Sequence, residues 1–306
     1  MSHASVADLL SPVVGGHRRF ICCHCATLSG DWPPNSLEAV RECVDARVPR
    51  LEIDVRFLAD DTMLVYHDAT LDHETTGTGR VEDLDRAGAG ALRFTANERL
   101  AIPFLTDVVD ALRGSGTLLQ VDLKLMRVMS REREGRLAAA LAPVKEHALI
   151  GSQAHWNLRG LARRGFGVAL DPALHWHYAP GRSPALFPGR EGVHGLWDDA
   201  PIAHNRHVSA RDYFGVRLDD LVSLLPEAVE WMVDIPTVRH MAGHGFMLGH
   251  ELAARGLELA AWTLRDLGAV ETAAVLREMF AAGADCVIAD DAPAVGACAA
   301  TLESGL

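Results

Sequence analysis

Arg50-Leu-Glu-Ile-Asp-Val-Arg-Phe57, followed closely by Met63-Leu-Val-Tyr-His-Asp68, decides how this chain folds. Side chains alternate along a strand, so Glu52 and Asp54 share one face while Leu51, Ile53 and Val55 take the other. Bare buried carboxylates are costly. An apolar strand that carries two of them on one face must therefore pair their charges or bind a cation. The second extended run delivers His67 at its end. A ladder of ion pairs with Arg50 and Arg56, which share the face of Glu52 and Asp54, is the local alternative to a cation site.

Outward from that stretch, short apolar runs alternate with helical patterns. Strands are expected at 19–25, ending at His24, and then at 51–57, 118–124, 148–152, 167–170, 229–235, 257–263 and 286–289. Helices are expected between them, the first capped by Asn35 with Glu38 three residues on, and another over 240–255. Residues 73–99 are polar and turn-rich, an excursion after strand two that carries Thr75-Thr-Gly-Thr-Gly79. Residues 172–220 are rich in Pro, Gly, His and Trp and too long for an ordinary loop, so they read as an insertion after strand five. Eight strands alternating with helices predict an α/β protein with a single (β/α)8 TIM barrel over 1–306, residues 1–18 being a lead-in. In such barrels active residues sit at the C-terminal ends of the strands.

The bulk composition narrows the function. The 306 residues are 49% hydrophobic and 23% charged, enough for a large core. A net charge of -12 excludes a broad nucleic-acid surface but leaves room for a small phosphate-bearing substrate, whose charge a local cation can offset. The six cysteines form no CxxC pair, and the N-terminal stretch lacks a basic start before a long apolar run. No apolar run approaches the ~20 residues of a membrane span. Reduced thiols in a cytoplasmic enzyme are the expectation.

The polar residues at or near strand ends are His24, Glu52, Asp54, His67, Asp68, Asp122, Lys124 and Trp262. In a barrel they converge on one mouth. Glu52, Asp54 and Asp122 make a hard, oxygen-rich site suited to one divalent cation, Mg2+ or Ca2+. Lys124 adds a point charge for phosphate. His24 and His67 suit general acid and base work, since the intrinsic pKa of an imidazole lies near neutrality. Together these groups describe phosphodiester cleavage.

With these residues in view, the chain resembles the glycerophosphodiester phosphodiesterases. The resemblance runs in order through His24, Pro33-Pro-Asn-Ser36, Leu51-Glu-Ile-Asp-Val55, Val65-Tyr-His-Asp68, Ile102-Pro-Phe-Leu105, Val121-Asp-Leu-Lys124, Trp262-Thr-Leu264 and Gly283-Ala-Asp-Cys-Val-Ile-Ala-Asp290. It implies a metal-dependent TIM-barrel hydrolase that releases an alcohol from glycerophosphodiesters and leaves glycerol 3-phosphate. It implies His24 and His67 as the acid/base pair, Glu52, Asp54 and Asp122 as metal ligands, and Lys124 as a phosphate contact. In family members the glycerol 2-hydroxyl is thought to attack phosphorus, giving a cyclic phosphate that water opens.

Two positions depart from the family pattern. Cys25 stands where the family has a phosphate-holding Arg, and Asp122 stands for a Glu, one methylene shorter. These departures keep two alternatives open: a phospholipase D- or sphingomyelinase D-like lyase that gives a cyclic phosphate, and a non-catalytic ligand-binding barrel. In Cys22-Cys-His-Cys25, neighbouring strand residues would face opposite ways, which predicts packed thiols rather than a zinc cluster. Trp262 is read as a substrate wall or a core aromatic. His175-Trp-His177 is read as either substrate-shaping, with Trp176 against a choline-like cation, or packing within the insertion. His240 and His244 are expected to be exposed or capping.

Overall fold

A computed structural model describes residues 5–181, 189–265 and 267–302. Eight parallel strands close into a barrel: β1 Phe20–Cys23, β2 Arg50–Phe57, β3 Leu118–Leu123, β4 Ala148–Ser152, β5 Gly167–Leu170, β6 Glu230–Asp234, β7 Glu258–Leu264 and β8 Cys286–Ala289. Each strand pairs with the next in sequence, and β8 closes onto β1. Helices α1 Leu37–Asp45, α2 Leu105–Leu112, α3 Arg131–Leu141, α4 His155–Arg163, α5 Ala210–Val222, α6 Ile235–Gly243, α7 Ala269–Ala281 and α8 Ala292–Leu302 follow strands one to eight in turn. The expected TIM barrel is therefore the fold.

Strand alternation produces two separate interiors. Leu51, Ile53 and Val55 point outward into the main core, which also takes Val40 and Cys43 of α1 and Val108 and Val109 of α2. Inside the barrel, Cys22, Leu149, Ala169, Met232, Ala260, Cys286 and Ile288 form an apolar plug of their own. The mouth is built above this plug.

Near the opposite end the barrel holds a buried ion pair. Arg50 Nη1 and Nη2 donate to the two carboxylate oxygens of Glu230 at 2.6 Å each, and Arg50 Nε donates to Gln120 Oε1 at 3.0 Å. Arg50 and Glu230 are 5% and 1% exposed, so neither charge has water to fall back on. A planar fork on a carboxylate is the strongest form of this interaction. The ladder between Arg50 and Glu52 that the sequence allowed does not form, because Arg50 reaches across the barrel to β6.

Several boundaries differ from the sequence reading. Asn35 does not cap α1; the Ser36 side chain accepts from Ala39 N at 3.2 Å, and Asn35 turns away to another partner. The expected insertion is shorter than 172–220, because its last part is α5, the ordinary barrel helix after β5. Residues 182–188 within it lie outside the described residues. The 240–255 segment divides into α6 and a short helix Leu248–Ala253, since Gly245 takes φ +75° between them. Gly249 in that short helix meets the backbone of Gly283, where a Cβ would lie 2.3 Å from the carbonyl oxygen. The lead-in contains a helix, Val6–Leu9, and a small hairpin, and buries Leu10 and Val14 against the core. The excursion after β2 has its own cluster under Tyr66, Leu71, Phe94 and Ile102. Among the described residues no helix is long and apolar enough to cross a membrane.

Removing one partner of a buried pair leaves the other charge uncompensated, which costs about 3–5 kcal/mol. Glu230→Leu should lose stability of that order in urea unfolding, and Arg50→Met combined with Glu230→Leu should regain most of it. Equal stability of the single and double variants would show that the pair does not carry this role.

Candidate active site

β1 stops at Cys23, and His24–Ala26 form a single 3-10 turn. Cys25 and Ala26 take φ values of 48° and 56°, a left-handed conformation uncommon outside glycine. Strand alternation therefore does not apply at Cys25. Its N–H donates to Glu52 Oε2 at 2.9 Å, and its thiol donates to Asp54 Oδ2 at 3.3 Å. The packed thiol expected from the sequence is buried, but it faces the carboxylates rather than an apolar wall.

Glu52 and Asp54 rise from β2, and Asp122 stands beside Asp54 on β3. One oxygen from each of the three carboxylates lies within 4.8 Å of the others. Asn35, left-handed at φ 63°, braces this group: its Oδ1 accepts from Asp54 N at 3.0 Å, and its Nδ2 donates to Asp54 Oδ2 at 2.8 Å. Lys124 bridges the far side, with Nζ at 3.0 Å from Asp54 Oδ1 and 2.6 Å from Asp122 Oδ2.

The electrostatics test whether a cation belongs here. Burial, reinforced by the neighbouring Asp54 charge, pushes the Glu52 carboxyl up to about 8. Burial also opposes the charge on Asp54, but Lys124 and His67 outweigh it and hold Asp54 below the usual carboxylate range. Burial likewise disfavours the Lys124 ammonium, while Asp122 and Asp54 keep it firmly protonated. One lysine thus serves two acids and leaves the third short of positive charge. An all-oxygen donor set with that deficit fits a hard divalent cation.

The two histidines are anchored alike. His24 Nδ1 lies 2.7 Å from Asp290 Oδ1, and His67 Nδ1 lies 2.7 Å from Asp68 Oδ1. A carboxylate there takes the Nδ1 proton as its hydrogen bond, which leaves Nε2 without a proton in the neutral ring. Burial opposes protonation of His24, yet the bond to Asp290 and the Glu52 charge raise its pKa above the ordinary imidazole value. Arg56 holds the loop of His67 from below, donating from Nε to His67 O at 2.8 Å.

A cavity of about 190 Å3 opens over this constellation, lined by His24, Glu52, His67, Asp122, Lys124 and Trp262, with Arg265 at its side. Seven of the eight site residues expected from the sequence are thus brought together. The eighth, Trp176, is not: it is 1% exposed, packs near Phe214 and donates its indole N–H to Tyr213 at 3.2 Å. His177 likewise stacks on Trp197 and His175 lies beside His155 of α4, so the HWH segment packs against the insertion and the neighbouring helices. His240 stacks on Tyr178, and His244 lies beside it. The sequence reading gave Asn35 only the role of a helix cap and assigned none to Asp290 or Asp171. Asp290 closes the quoted β8 motif, and Asn35 lies in the quoted Pro-Pro-Asn-Ser stretch. Asp171 follows β5 directly; burial pushes its carboxyl up to about 7, and Gln153 donates to it at 3.2 Å.

Residues 27–158 match the model of the Glycerophosphoryl diester phosphodiesterase family, a span that holds Glu52, Asp54, His67, Asp122 and Lys124. Over that span the chain is similar to this family. It is 36% identical over 85 residues to glycerophosphodiester phosphodiesterase 1 of Bos taurus, which covers 28% of this chain but only 26% of the bovine protein. It is 28% identical over 167 residues to a glycerophosphodiester phosphodiesterase of Caldanaerobacter subterraneus subsp. tengcongensis, covering 49% of this chain and 68% of that one. Among solved structures, an Oleispira antarctica phosphodiesterase in complex with the product sn-glycerol-3-phosphate superposes with a TM-score of 0.59 at 17% identity, over 91% of this chain and 95% of its own. A glycerophosphodiester phosphodiesterase of Thermotoga maritima does so with a TM-score of 0.59 at 14% identity, over 90% and 96%. These likenesses extend the shared fold over the C-terminal half, beyond the reach of the family model.

Two substitutions probe the supports. Asn35→Ala should weaken Mn2+ binding to the metal-free protein about 10- to 100-fold in calorimetry, the usual effect of losing a residue that orients a ligand. An unchanged affinity would remove Asn35 from the site. Asp290→Asn should lower the His24 pKa, read from its imidazole resonances by NMR. Because the folded pKa lies above the unfolded one, the Asp290–His24 interaction stabilises at pH below about 6.5 and fades as pH rises through the folded value. The variant should therefore lose stability mainly in acid, and a loss confined to alkaline pH would contradict the pairing.

Proposed function

We propose that the chain is a metal-dependent phosphodiesterase that cleaves small glycerophosphodiesters into an alcohol and glycerol 3-phosphate. The observation that carries this reading is the pairing of two histidines, each tied to a carboxylate through Nδ1, around a three-carboxylate site in one cavity. The match of residues 27–158 to the family model and the chemistry of the donor set support it.

In this reading Glu52, Asp54 and Asp122 hold one divalent cation, Mg2+ or Ca2+. When bound, that ion neutralises charge on the phosphoryl oxygens as it builds in the transition state. Lys124 contributes a further positive charge to the phosphate. The Nε2 of one imidazole removes the proton from the attacking glycerol 2-hydroxyl. The other imidazole gives a proton to the departing alcohol oxygen as its bond to phosphorus breaks. Water then opens the cyclic phosphate, with the two histidines exchanging roles. Trp262 forms one wall beside the reacting groups. Arg265, at the side of the same cavity, takes over part of the charge that the family's strand-one Arg supplies. We place the reaction in the cytoplasm, where the free thiols of all six cysteines would persist.

The test is release of glycerol 3-phosphate from glycerophosphocholine and related diesters with Mg2+, Ca2+ or EDTA. EDTA should abolish turnover. His24→Ala and His67→Ala should each lower kcat by about 10²- to 10⁴-fold. Full activity in either variant would sink the acid/base assignment. A cyclic phosphate as the end product, seen by phosphorus NMR, would redirect the reading to the lyase class.

A further inference from the structure

The left-handed turn at Cys25 creates a second donor set beside the carboxylate one. His24, Cys25 and Glu52 offer ligand atoms that all lie within 4.8 Å of one another. We infer that these three residues form a separate site for a thiophilic divalent ion such as Zn2+, overlapping the hard-cation site through Glu52.

Three observations converge on it. The first is geometry. A tetrahedral zinc with thiolate sulfur at about 2.3 Å and imidazole nitrogen at about 2.1 Å sets those two donors roughly 3.6 Å apart. Cys25 Sγ and His24 Nε2 are 3.6 Å apart. Glu52 Oε2 lies 3.9 Å from the same nitrogen, about half an ångström beyond the ideal edge, and a carboxylate can swing that far. The second is orientation. The Nδ1 of His24 is held by Asp290 at 2.7 Å, the carboxylate–histidine arrangement that fixes a ligating imidazole and aims its other nitrogen at the metal. The third is charge and burial. Cys25 and Glu52 are 7% and 3% exposed, and one thiolate plus one carboxylate balance a divalent ion. Three protein donors leave a fourth position open.

Binding is a proton exchange. The Cys25 S–H gives its proton to solvent as sulfur bonds the ion, any proton on the Glu52 carboxyl or on His24 Nε2 leaves to solvent with it, and the hydrogen bond to Asp54 is released. The consequence is regulatory. An ion on His24 Nε2 occupies the nitrogen assigned above to proton transfer, so a thiophilic ion inhibits while a hard ion in the carboxylate site supports turnover. The inhibition rests on the proposed phosphodiesterase chemistry; the binding does not.

The experiment uses the full chain, stripped of metal, with Cd2+ as the probe, and reads the ultraviolet sulfur-to-cadmium charge-transfer absorption. In saturating Mg2+, wild type should develop this band and reach its plateau at one equivalent of Cd2+. Cys298→Ser, which removes the one cysteine that is not buried, should behave the same. Cys25→Ser should show no band, with circular dichroism confirming that it is folded. A band that persists in Cys25→Ser, or Cd2+ that binds wild type with no band or does not bind at all, overturns the site. In the activity arm, Zn2+ should inhibit the Mg2+-supported reaction, and Cys25→Ser should need about 10- to 100-fold more Zn2+ relative to its own uninhibited rate. Equal sensitivity of the two proteins would overturn the inhibitory role. Should wild type turn over no diester, the proposed function fails, while the cadmium band still decides the binding site.

Discussion

Burying carboxylates inside a barrel sets the terms for everything around them. Glu52 and Asp54 are nearly inaccessible, and a bare carboxylate in such a place is among the most costly things a fold can hold. The chain answers with a lysine shared between Asp54 and Asp122, an asparagine bonded to Asp54 through both its oxygen and its nitrogen, and a backbone N–H aimed at Glu52. These partners still leave Glu52 short of counter-charge. That shortfall is what the proposed cation would relieve.

The barrel separates this polar region from another at its opposite end. Arg50 and Glu230 meet there in a two-point ion pair, with the apolar side chains of Cys22, Met232, Ala260 and Ile288 in the layer above. Arg50 could have neutralised Glu52, its neighbour on the same face. Committing Arg50 to Glu230 across the barrel leaves Glu52 free to face the cavity. The arrangement agrees with a general feature of TIM barrels, in which one end serves stability and the other function.

Much of the fold was legible in the sequence for a simple reason. Parallel barrel strands are buried on both faces and read as short apolar runs, so β4, β5 and β8 were placed at their observed bounds. The errors fell where local pattern and tertiary demand part. Asn35 has the chemistry of a helix cap, and Ser36 took that role because Asn35 is needed at Asp54. Trp176 has the chemistry of a cation-binding wall, yet Tyr213 and Phe214 of α5 cover it, a contact of high sequence separation that no local motif reveals. Cys25 was read by strand alternation, a rule that lapses where the strand gives way to a turn.

The sequence by itself determined the barrel, the face on which Glu52 and Asp54 stand, and the order in which the candidate acid, base and cation-binding groups come along the chain. Periodicity and residue chemistry are local properties and survive without coordinates. Only the tertiary structure decided the partners: Arg50 with Glu230, His24 with Asp290, Asn35 with Asp54, and Cys25 turned toward His24 and the carboxylates. Each of these joins residues from different elements or depends on a left-handed turn. Their energies arise from distance and burial, which exist only once the barrel has closed.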